Sequence, residues 1–409
     1  MKIKNVFFST LGVTLPAFIF LVSTPIIINK FGIERFGYIS LFWVFLSISS
    51  ILDLGMARAL TNFVAKGLNN KEKLNSIYSV LFLLTIFSFI ICFLIYILSI
   101  YLIPNLEHIP KDLRNELNHA AVYLILSVPF VIIYSALRGV FEGEANFKLT
   151  SYSKMFMGIC MVLPLTLISE SFATLIFAAQ VCLITRLIGF FILFYNYLIR
   201  FKPNNYALNF KGWDIFKFGA KVSVSTISSS VLVYSDRFIA SVLLSPKDFG
   251  IYSLCTELVM RFLFIPGAIS AVSFQSLSRN LELSQIRSVV NKGIKWMTIS
   301  ILPIFLMLSL FGNELIYVWS TVVIPEKLHY VVLILSIGLL INSYAHLSYA
   351  YLQTTNYLGF IAKLHVFELI IFIPVMYYMC MYFGVFGLLL IWLGRVTFDF
   401  LIMTAKALK

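Results

Sequence analysis

Residues 76–103 read SIYSVLFLLTIFSFIICFLIYILSIYLI, a run of 28 residues that contains no charged side chain. A helix needs about 20 predominantly apolar residues to cross the hydrocarbon core of a bilayer. The run is therefore long enough to cross a membrane once, and it predicts a transmembrane helix.

The rest of the 409-residue chain has the same character. Hydrophobic residues make up 60% of it and charged residues only 12%, whereas a globular domain carries about 25% charged residues. The apolar runs predict an all-α, polytopic membrane protein with about twelve transmembrane helices. These predicted spans lie near 6–28, 38–60, 76–103, 118–138, 152–169, 172–198, 214–243, 249–276, 290–312, 328–350, 360–381 and 384–405. The first is too long for a signal peptide and is interpreted as a retained helix.

The lysines and arginines predict the orientation. Twenty-one fall on the side of the N-terminus and six on the opposite side. Since cytoplasmic connections carry the excess of positive charge, both termini are predicted to be cytoplasmic. The net charge of +13 is spread over short connections rather than gathered in a basic domain, so nucleic acid is not an expected partner.

The longest basic connection, about 198–217, falls at the midpoint of the chain. It predicts two six-helix lobes, residues 1–200 and residues 201–409. A short repeat supports this division, because RFGYISL (35–41) aligns with DFGIYSL (248–254). Six spans separate the copies, so the two lobes would have the same orientation, as in parallel repeats.

Charged residues inside predicted spans are costly and usually face a partner or a water-filled cavity. They are Asp53 and Arg58 in the second span, Arg186 in the sixth, Asp236 and Arg237 in the seventh, Glu257 and Arg261 in the eighth, and Arg395 and Asp399 in the last.

Two interpretations of these charges stay open. Glu257/Arg261 and Arg395/Asp399 have i,i+4 spacing and would form structural ion pairs on one helix face. Alternatively, arginines from several helices would bind an anion, because guanidinium groups stay charged when buried and bind phosphate oxygens in pairs. Arg58 and Arg138 lie near span ends, where they would also reach the interface.

No other chemistry is indicated. The sequence has no GxxxxGK[ST] motif for ATP, no GxSxG nucleophile motif and no HxxxH metal pair. Neither a cofactor nor a metal is therefore expected, and the chain is not predicted to be an enzyme.

Three segments carry a resemblance to a known family. They are FGIERFG (31–37) with LDLGMAR (52–58), RGVFEG (138–143) followed by Phe147, and SDRFI (235–239) followed by FGIYS (249–253). In this order the motifs resemble Wzx-type O-antigen and polysaccharide flippases of the multidrug/oligosaccharidyl-lipid/polysaccharide exporter superfamily. The resemblance covers essentially the whole chain.

This resemblance implies two six-helix bundles that form a V around a central cavity, in the bacterial inner membrane. The implied cargo is an undecaprenyl-diphosphate-linked oligosaccharide, flipped from the cytoplasmic to the periplasmic leaflet by alternating access. Membrane lipids, and the polymerase and chain-length regulator of the same pathway, are the implied partners. By position Arg58, Arg237 and Arg261 would line the cavity, and Arg138 would lie at the cytoplasmic gate. Arg186 is a further candidate for substrate binding, because it has no oppositely charged neighbour within a turn and must find its partner on another helix or in a ligand. Asp53, Asp236 and Glu257 are the candidates for cation coupling.

The chain departs from the related lipid II flippases in two respects. Its first span carries no arginine between Lys4 and Lys30, and the chain ends after twelve spans, without their two additional C-terminal helices. The alternatives are a cation-coupled drug exporter of the same superfamily and a membrane polymerase or acyltransferase of surface glycans. A drug exporter would favour buried carboxylates over arginines, and the enzymes would carry a large outer loop.

Overall fold

The computed structural model describes residues 3–66, 71–201, 211–277, 283–355 and 357–408, and within these ranges it contains helices and turns but no strand. The helices are α1 (Ile3–Ser49), α2 (Met56–Ala65), α3 (Lys71–Leu102), α4 (Lys111–Gly143), α5 (Phe147–Cys160), α6 (Leu163–Leu167), α7 (Leu175–Phe201), α8 (Lys211–Leu243), α9 (Pro246–Arg261), α10 (Phe264–Leu277), α11 (Leu283–Ser320), α12 (Tyr330–Gln353) and α13 (Leu358–Ala407). The 3₁₀ turns lie at Ile103–Asn105, Glu170–Phe172 and Glu326–Leu328.

Eight helical segments of the described residues are long and apolar enough to cross a membrane. Two of them hold more than one predicted span, because glycines turn the chain within a continuous helical stretch. Gly32 interrupts α1 with φ 79°, and Gly384 interrupts α13 with φ 59°. Glycine adopts such positive φ angles without the steric cost that a Cβ atom brings. The prediction of an all-α, polytopic membrane protein is confirmed.

Three predicted spans are not continuous helices. The span predicted at 38–60 stops at Ser49, and the chain resumes as α2 at Met56 after a turn in which Gly55 has φ 68°. The span predicted at 249–276 divides between α9 and α10, and the span at 152–169 divides between α5 and α6. Apolar composition predicted the length of these segments but not the breaks, which tertiary packing decides.

The chain forms two compact units, Met1–Ser230 and Val231–Lys409, called unit 1 and unit 2 below. Part of the predicted connection at 198–217 lies outside the described residues. The predicted lobe boundary at 200/201 therefore stays a prediction.

One central helix organises each unit. In unit 1, α4 packs against α2, α3 and α7, and 67% of its most apolar stretch is buried, against 22% for α3. The outer face of α3 exposes large apolar side chains such as Phe82, Phe89 and Phe93, as a lipid-facing helix does. In unit 2, α12 is central and packs against α9, α10, α11 and α13.

Each unit has an ion pair of its own at its copy of the repeated motif. Arg35, the first residue of the first copy, lies 2.6 Å from Glu116 near the start of α4. Asp248, the first residue of the second copy, lies 2.9 Å from Lys327 just before α12. Both pairs tie the motif to the central helix of its own unit, with the charges exchanged. This shared arrangement supports the interpretation of the motif as a repeat.

Candidate functional site

Arg186 lies on α7 of unit 1 and, among the described residues, forms no ion pair with an acid. Its Nη1 atom is 4.0 Å from Sδ of Met157, and its Nη2 atom is 3.7 Å from Sδ of Met161. Its Nε atom is buried and has no hydrogen-bond partner. Thioether sulfur is a weak acceptor, so the structure holds a guanidinium with unused hydrogen-bonding capacity.

At Gly189, about one turn after Arg186, helix α7 packs closely against α5. A Cβ atom added at Gly189 would lie 2.1 Å from Sδ of Met157. The absence of a side chain at position 189 therefore brings the sulfur-bearing face of α5 against α7. This close approach explains why the methionines lie beside the guanidinium of Arg186.

Tyr134 on α4 lies between two cations. It is within electrostatic range of both Arg138 and Arg186, and its hydroxyl is 3.1 Å from Oγ of Ser153 on α5. Arg138 stands one turn after Tyr134, and its Nε atom is 3.7 Å from Glu142, which also accepts a hydrogen bond of 3.1 Å from Lys154. We call Tyr134, Arg138, Ser153, Lys154 and Arg186 the α4–α5–α7 cluster.

The α4–α5–α7 cluster is cationic. It contains three basic side chains, and Glu142 is the acid that pairs with two of them. The cluster therefore keeps a net positive charge, and Arg186 is the member that has no acidic partner among the described residues. Tyr134 is within electrostatic range of Arg186, and its hydroxyl lies 3.1 Å from that of Ser153. Guanidinium, ammonium and hydroxyl groups together are the donors that bind phosphate oxygens.

Two candidates from the second predicted span have different surroundings. Arg58 is exposed on α2. Asp53 is buried in the turn before α2 and accepts hydrogen bonds from the backbone nitrogens of Gly55 (2.8 Å) and Ala57 (3.1 Å) and from Ser135 (2.9 Å). Asp53 thus satisfies backbone donors at the start of a helix, as capping side chains do.

In unit 2, Glu257 on α9 bridges two arginines. Its Oε1 atom is 2.9 Å from Nη1 of Arg237 on α8, and its Oε2 atom is 2.7 Å from Nη2 of Arg261. The predicted i,i+4 pair between Glu257 and Arg261 is confirmed. Sequence spacing could not reveal that the same carboxylate also binds Arg237, because that contact joins two helices.

Asp236 completes this group. It is 2% exposed, accepts a hydrogen bond from the hydroxyl of Tyr252, and leaves its Oδ1 atom without a partner. Asp236 is attracted to Arg237 and to Arg395. With two acids beside Arg237 and Arg261, this part of unit 2 carries no net positive charge. The arginines predicted to form a cationic cavity are therefore balanced in unit 2, whereas Arg186 in unit 1 is not.

The structure also brings together three titratable residues that were not predicted as a site. Nitrogen or oxygen atoms of His365, Glu368 and Asp399 lie within 4.8 Å of one another. The predicted ion pair between Arg395 and Asp399 does not close to contact distance among the described residues, although Arg395 attracts Asp399, and Nε of Arg395 and Oδ1 of Asp399 have no hydrogen-bond partner. The i,i+3 spacing of His365 and Glu368 was a possible sequence signal, but Asp399 comes from the other half of α13.

Comparison with known proteins identifies relatives along most of the chain. Residues 3–280 match the model of the family described as "Polysaccharide biosynthesis protein". A protein of Shigella flexneri described as "Putative O-antigen transporter" is 24% identical over 408 residues, which cover 98% of this chain and 96% of the relative.

Solved structures of MATE transporters share the fold. An inward-facing multidrug resistance MATE family transporter of the MOP superfamily matches with a TM-score of 0.73 and 15% identity, over 98% of this chain and 96% of the other. A Vibrio cholerae MATE transporter matches with a TM-score of 0.66 and 15% identity, over 99% and 95%. At this level of sequence identity the similarity shows a shared fold but gives no information about the substrate.

Proposed function

We propose that this chain flips a lipid-linked oligosaccharide. It belongs to the polysaccharide biosynthesis protein family, and it is a membrane transporter rather than an enzyme. The cargo is an undecaprenyl-diphosphate-linked repeat unit of O-antigen or a related surface polysaccharide. It moves from the cytoplasmic to the periplasmic leaflet of a bacterial inner membrane by alternating access, and both termini of the chain are cytoplasmic.

The observation that carries this proposal is the guanidinium of Arg186, which has no acidic partner among the described residues. A diphosphate cannot cross about 30 Å of hydrocarbon without counter-charge. Arg186 supplies that charge, and Tyr134, Arg138 and Lys154 supply further donors close by. A charge that is left unpaired in the folded protein costs stability, and an anionic ligand would offset that cost.

Unit 2 contributes differently. Arg237 and Arg261 are already bridged by Glu257, so an anion would have to compete with that carboxylate. We infer that these two arginines, and the exposed Arg58, contact the cargo only in another state of the transport cycle. The first contact with diphosphate is then made by the α4–α5–α7 cluster.

The test uses a bacterial strain from which the gene for this chain is deleted, supplied with radiolabelled undecaprenyl-linked repeat units. Labelled repeat units should accumulate on the cytoplasmic leaflet, and the wild-type chain should restore their export. Arg186→Ala should reduce export about tenfold or more, because a charge-assisted hydrogen bond contributes about 1.5–3 kcal/mol. Arg186→Lys should retain part of it.

Arg200→Ala is the matched control, because Arg200 ends the same helix, is exposed, and pairs with Glu144 at 3.3 Å. It should export at the wild-type rate. Equal export by Arg186→Ala and the wild type would remove Arg186 from the binding site. Normal surface glycan together with drug sensitivity in the deletion strain would favour the cation-coupled drug exporter instead.

A further inference from the structure

The two halves of α13 meet around a group of titratable side chains. His365 and Glu368 precede the break at Gly384, and Arg395 and Asp399 follow it. The non-helical backbone at Gly384 turns the chain back. As a result, a ring nitrogen of His365 and one carboxylate oxygen each of Glu368 and Asp399 lie within 4.8 Å of one another. We call these three residues the carboxyl cluster.

The carboxyl cluster is buried and its polar atoms are unsatisfied. Glu368 is 0% exposed, and neither of its carboxylate oxygens has a hydrogen-bond partner. His365 is 5% exposed, and its Nδ1 atom has no partner either. Buried polar atoms are nearly always hydrogen-bonded. Unpartnered atoms on several converging side chains therefore point to a bound species that satisfies them.

That species must carry positive charge. One carboxylate oxygen of Glu368 and one of Asp399 lie within 4.8 Å of each other. An ionised carboxylate only accepts hydrogen bonds, and two ionised carboxylates at this separation repel strongly in a medium of low dielectric constant. A proton between the two groups supplies a donor and removes the repulsion at once.

The charges around the carboxyl cluster are neutralised by one additional positive charge. Arg395 attracts Glu368, Asp399 and also Asp236 on α8. On α12, the ring of Tyr349 packs 6.4 Å from that of His365 and adds no charge. The connected set then holds four acids against three arginines, which leaves one negative charge. Its members are Asp236, Glu257, Glu368, Asp399, Arg237, Arg261 and Arg395.

We propose that Glu368 and Asp399 hold one exchangeable proton between them, with His365 as the neighbouring acceptor, and that this is the coupling site of unit 2. The part that concerns coupling rests on the function proposed above. The proton enters from water, neutralises the excess negative charge of the set, and returns to water on release. Asp399 is half-buried whereas Glu368 is fully buried, so Asp399 is the carboxyl group through which the proton exchanges.

A proton fits this cluster better than a divalent metal ion does, because the connected set carries one excess negative charge, which a single positive charge neutralises. Two of the three residues expected from the sequence to couple a cation are less available. Asp53 is saturated by backbone and hydroxyl donors, and Glu257 is bound by two arginines. Glu368 has no such donor.

Infrared spectroscopy of the purified full-length chain tests the site itself. At neutral pH the wild type should show the carbonyl-stretch band of a protonated carboxyl group that shifts in D₂O. Glu368→Gln and Asp399→Asn should each lose this band, since the remaining carboxylate ionises beside Arg395. Glu368→Asp, which keeps a carboxyl group, should retain it. Glu314→Gln, at an exposed glutamate of the same unit, should leave it unchanged.

Three infrared results would overturn the proton site. The first is the absence of the band from the wild type, and the second is its persistence in both amide variants. The third is its disappearance on adding sodium ions at constant pH, which would assign the site to sodium instead.

Proteoliposomes test the coupling separately, with a radiolabelled undecaprenyl-diphosphate-linked sugar as the probe. A pH gradient should accelerate flipping by the wild type several-fold and should have no effect on Glu368→Gln. Equal wild-type flipping with and without the gradient would overturn coupling at this site. No flipping by the wild type under any condition would instead overturn the proposed function, and the infrared result would stand.

Discussion

Glu257 and Arg237 form a buried ion pair that joins α9 to α8, with 2.9 Å between Oε1 and Nη1 and side chains that are 9% and 10% exposed. The other oxygen of the same carboxylate binds Arg261. One carboxylate therefore pairs with two guanidinium groups. Its removal would leave Arg237 buried and without an ion-pair partner.

The first prediction concerns Glu257→Gln. This change should lower the free energy of unfolding by about 3–5 kcal/mol, because breaking a buried pair leaves an uncompensated charge. Thermal unfolding of the detergent-solubilised protein measures the effect. Glu144→Gln is the control, since its partner Arg200 is 67% exposed and such pairs contribute about 1 kcal/mol or less. Equal losses in both variants would contradict the structural role of Glu257.

A second prediction separates binding from folding at Arg186. Arg186→Met should raise the free energy of unfolding by about 1–3 kcal/mol, because it removes a guanidinium that lacks a proper acceptor. The new side chain would pack beside Met157 and Met161 on α5. Thermal unfolding and export are measured on the same variant. A gain in stability combined with a loss of export is the expected result, and a loss of stability would indicate that Arg186 is structural.

The third prediction uses the substitutions Arg237→Lys and Arg237→Glu. Lysine keeps a positive charge opposite Glu257 and should retain part of the export activity. Glutamate would place two carboxylates against each other in a buried site, and it should abolish export. Restoration of surface glycan in the deletion strain is the readout. Equal activity in the two variants would show that the charge at position 237 does not matter.

The fourth prediction concerns two glycines. A Cβ atom at Gly139 would lie 2.2 Å from the backbone oxygen of Ala57, whereas a Cβ atom at Gly394 would meet nothing within 4 Å. Gly139→Ala should therefore push α2 away from α4 and cost about 1–3 kcal/mol. Gly394→Ala should be neutral or stabilise α13 by up to about 1 kcal/mol. Thermal unfolding of both variants checks this difference, and a similar result for the two would contradict it.

The fifth prediction concerns Asp53. Asp53→Ala should lower stability by about 0.5–2 kcal/mol, the usual cost of losing a helix cap. Asp53→Asn keeps one side-chain oxygen as an acceptor and should lose less. The unfolding temperatures of the two variants decide the matter. A larger loss in Asp53→Asn than in Asp53→Ala would exclude the capping role.

Several features of the molecule could be predicted from local sequence. The charge-free run at 76–103 is sufficient to predict a membrane span, because length and polarity alone decide whether a helix can cross a bilayer. The spacing of Glu257 and Arg261 predicted their ion pair, because neighbours at i,i+4 share a helix face. The order of the motifs predicted the family, and the family model confirms it.

Other features required the tertiary structure. The same i,i+4 spacing predicted a pair between Arg395 and Asp399 that does not close to contact distance among the described residues, since Asp399 approaches Glu368 across the turn at Gly384. The helix breaks after Ser49 and Arg261 could not be predicted from the sequence, because both fall inside apolar runs that predict continuous spans.

The sequence by itself determined that the chain is a multi-pass helical membrane protein, because burying backbone polar groups in lipid permits few alternatives to helices. It also determined which charged residues lie within the spans. Only the tertiary structure decided which of those charges are compensated. A buried charge is neutralised by whichever group lies within a few ångströms of it, and these distances are set by contacts between helices that are remote in sequence. Arg237 acquired Glu257 in this way, and Arg186 was left with two sulfur atoms.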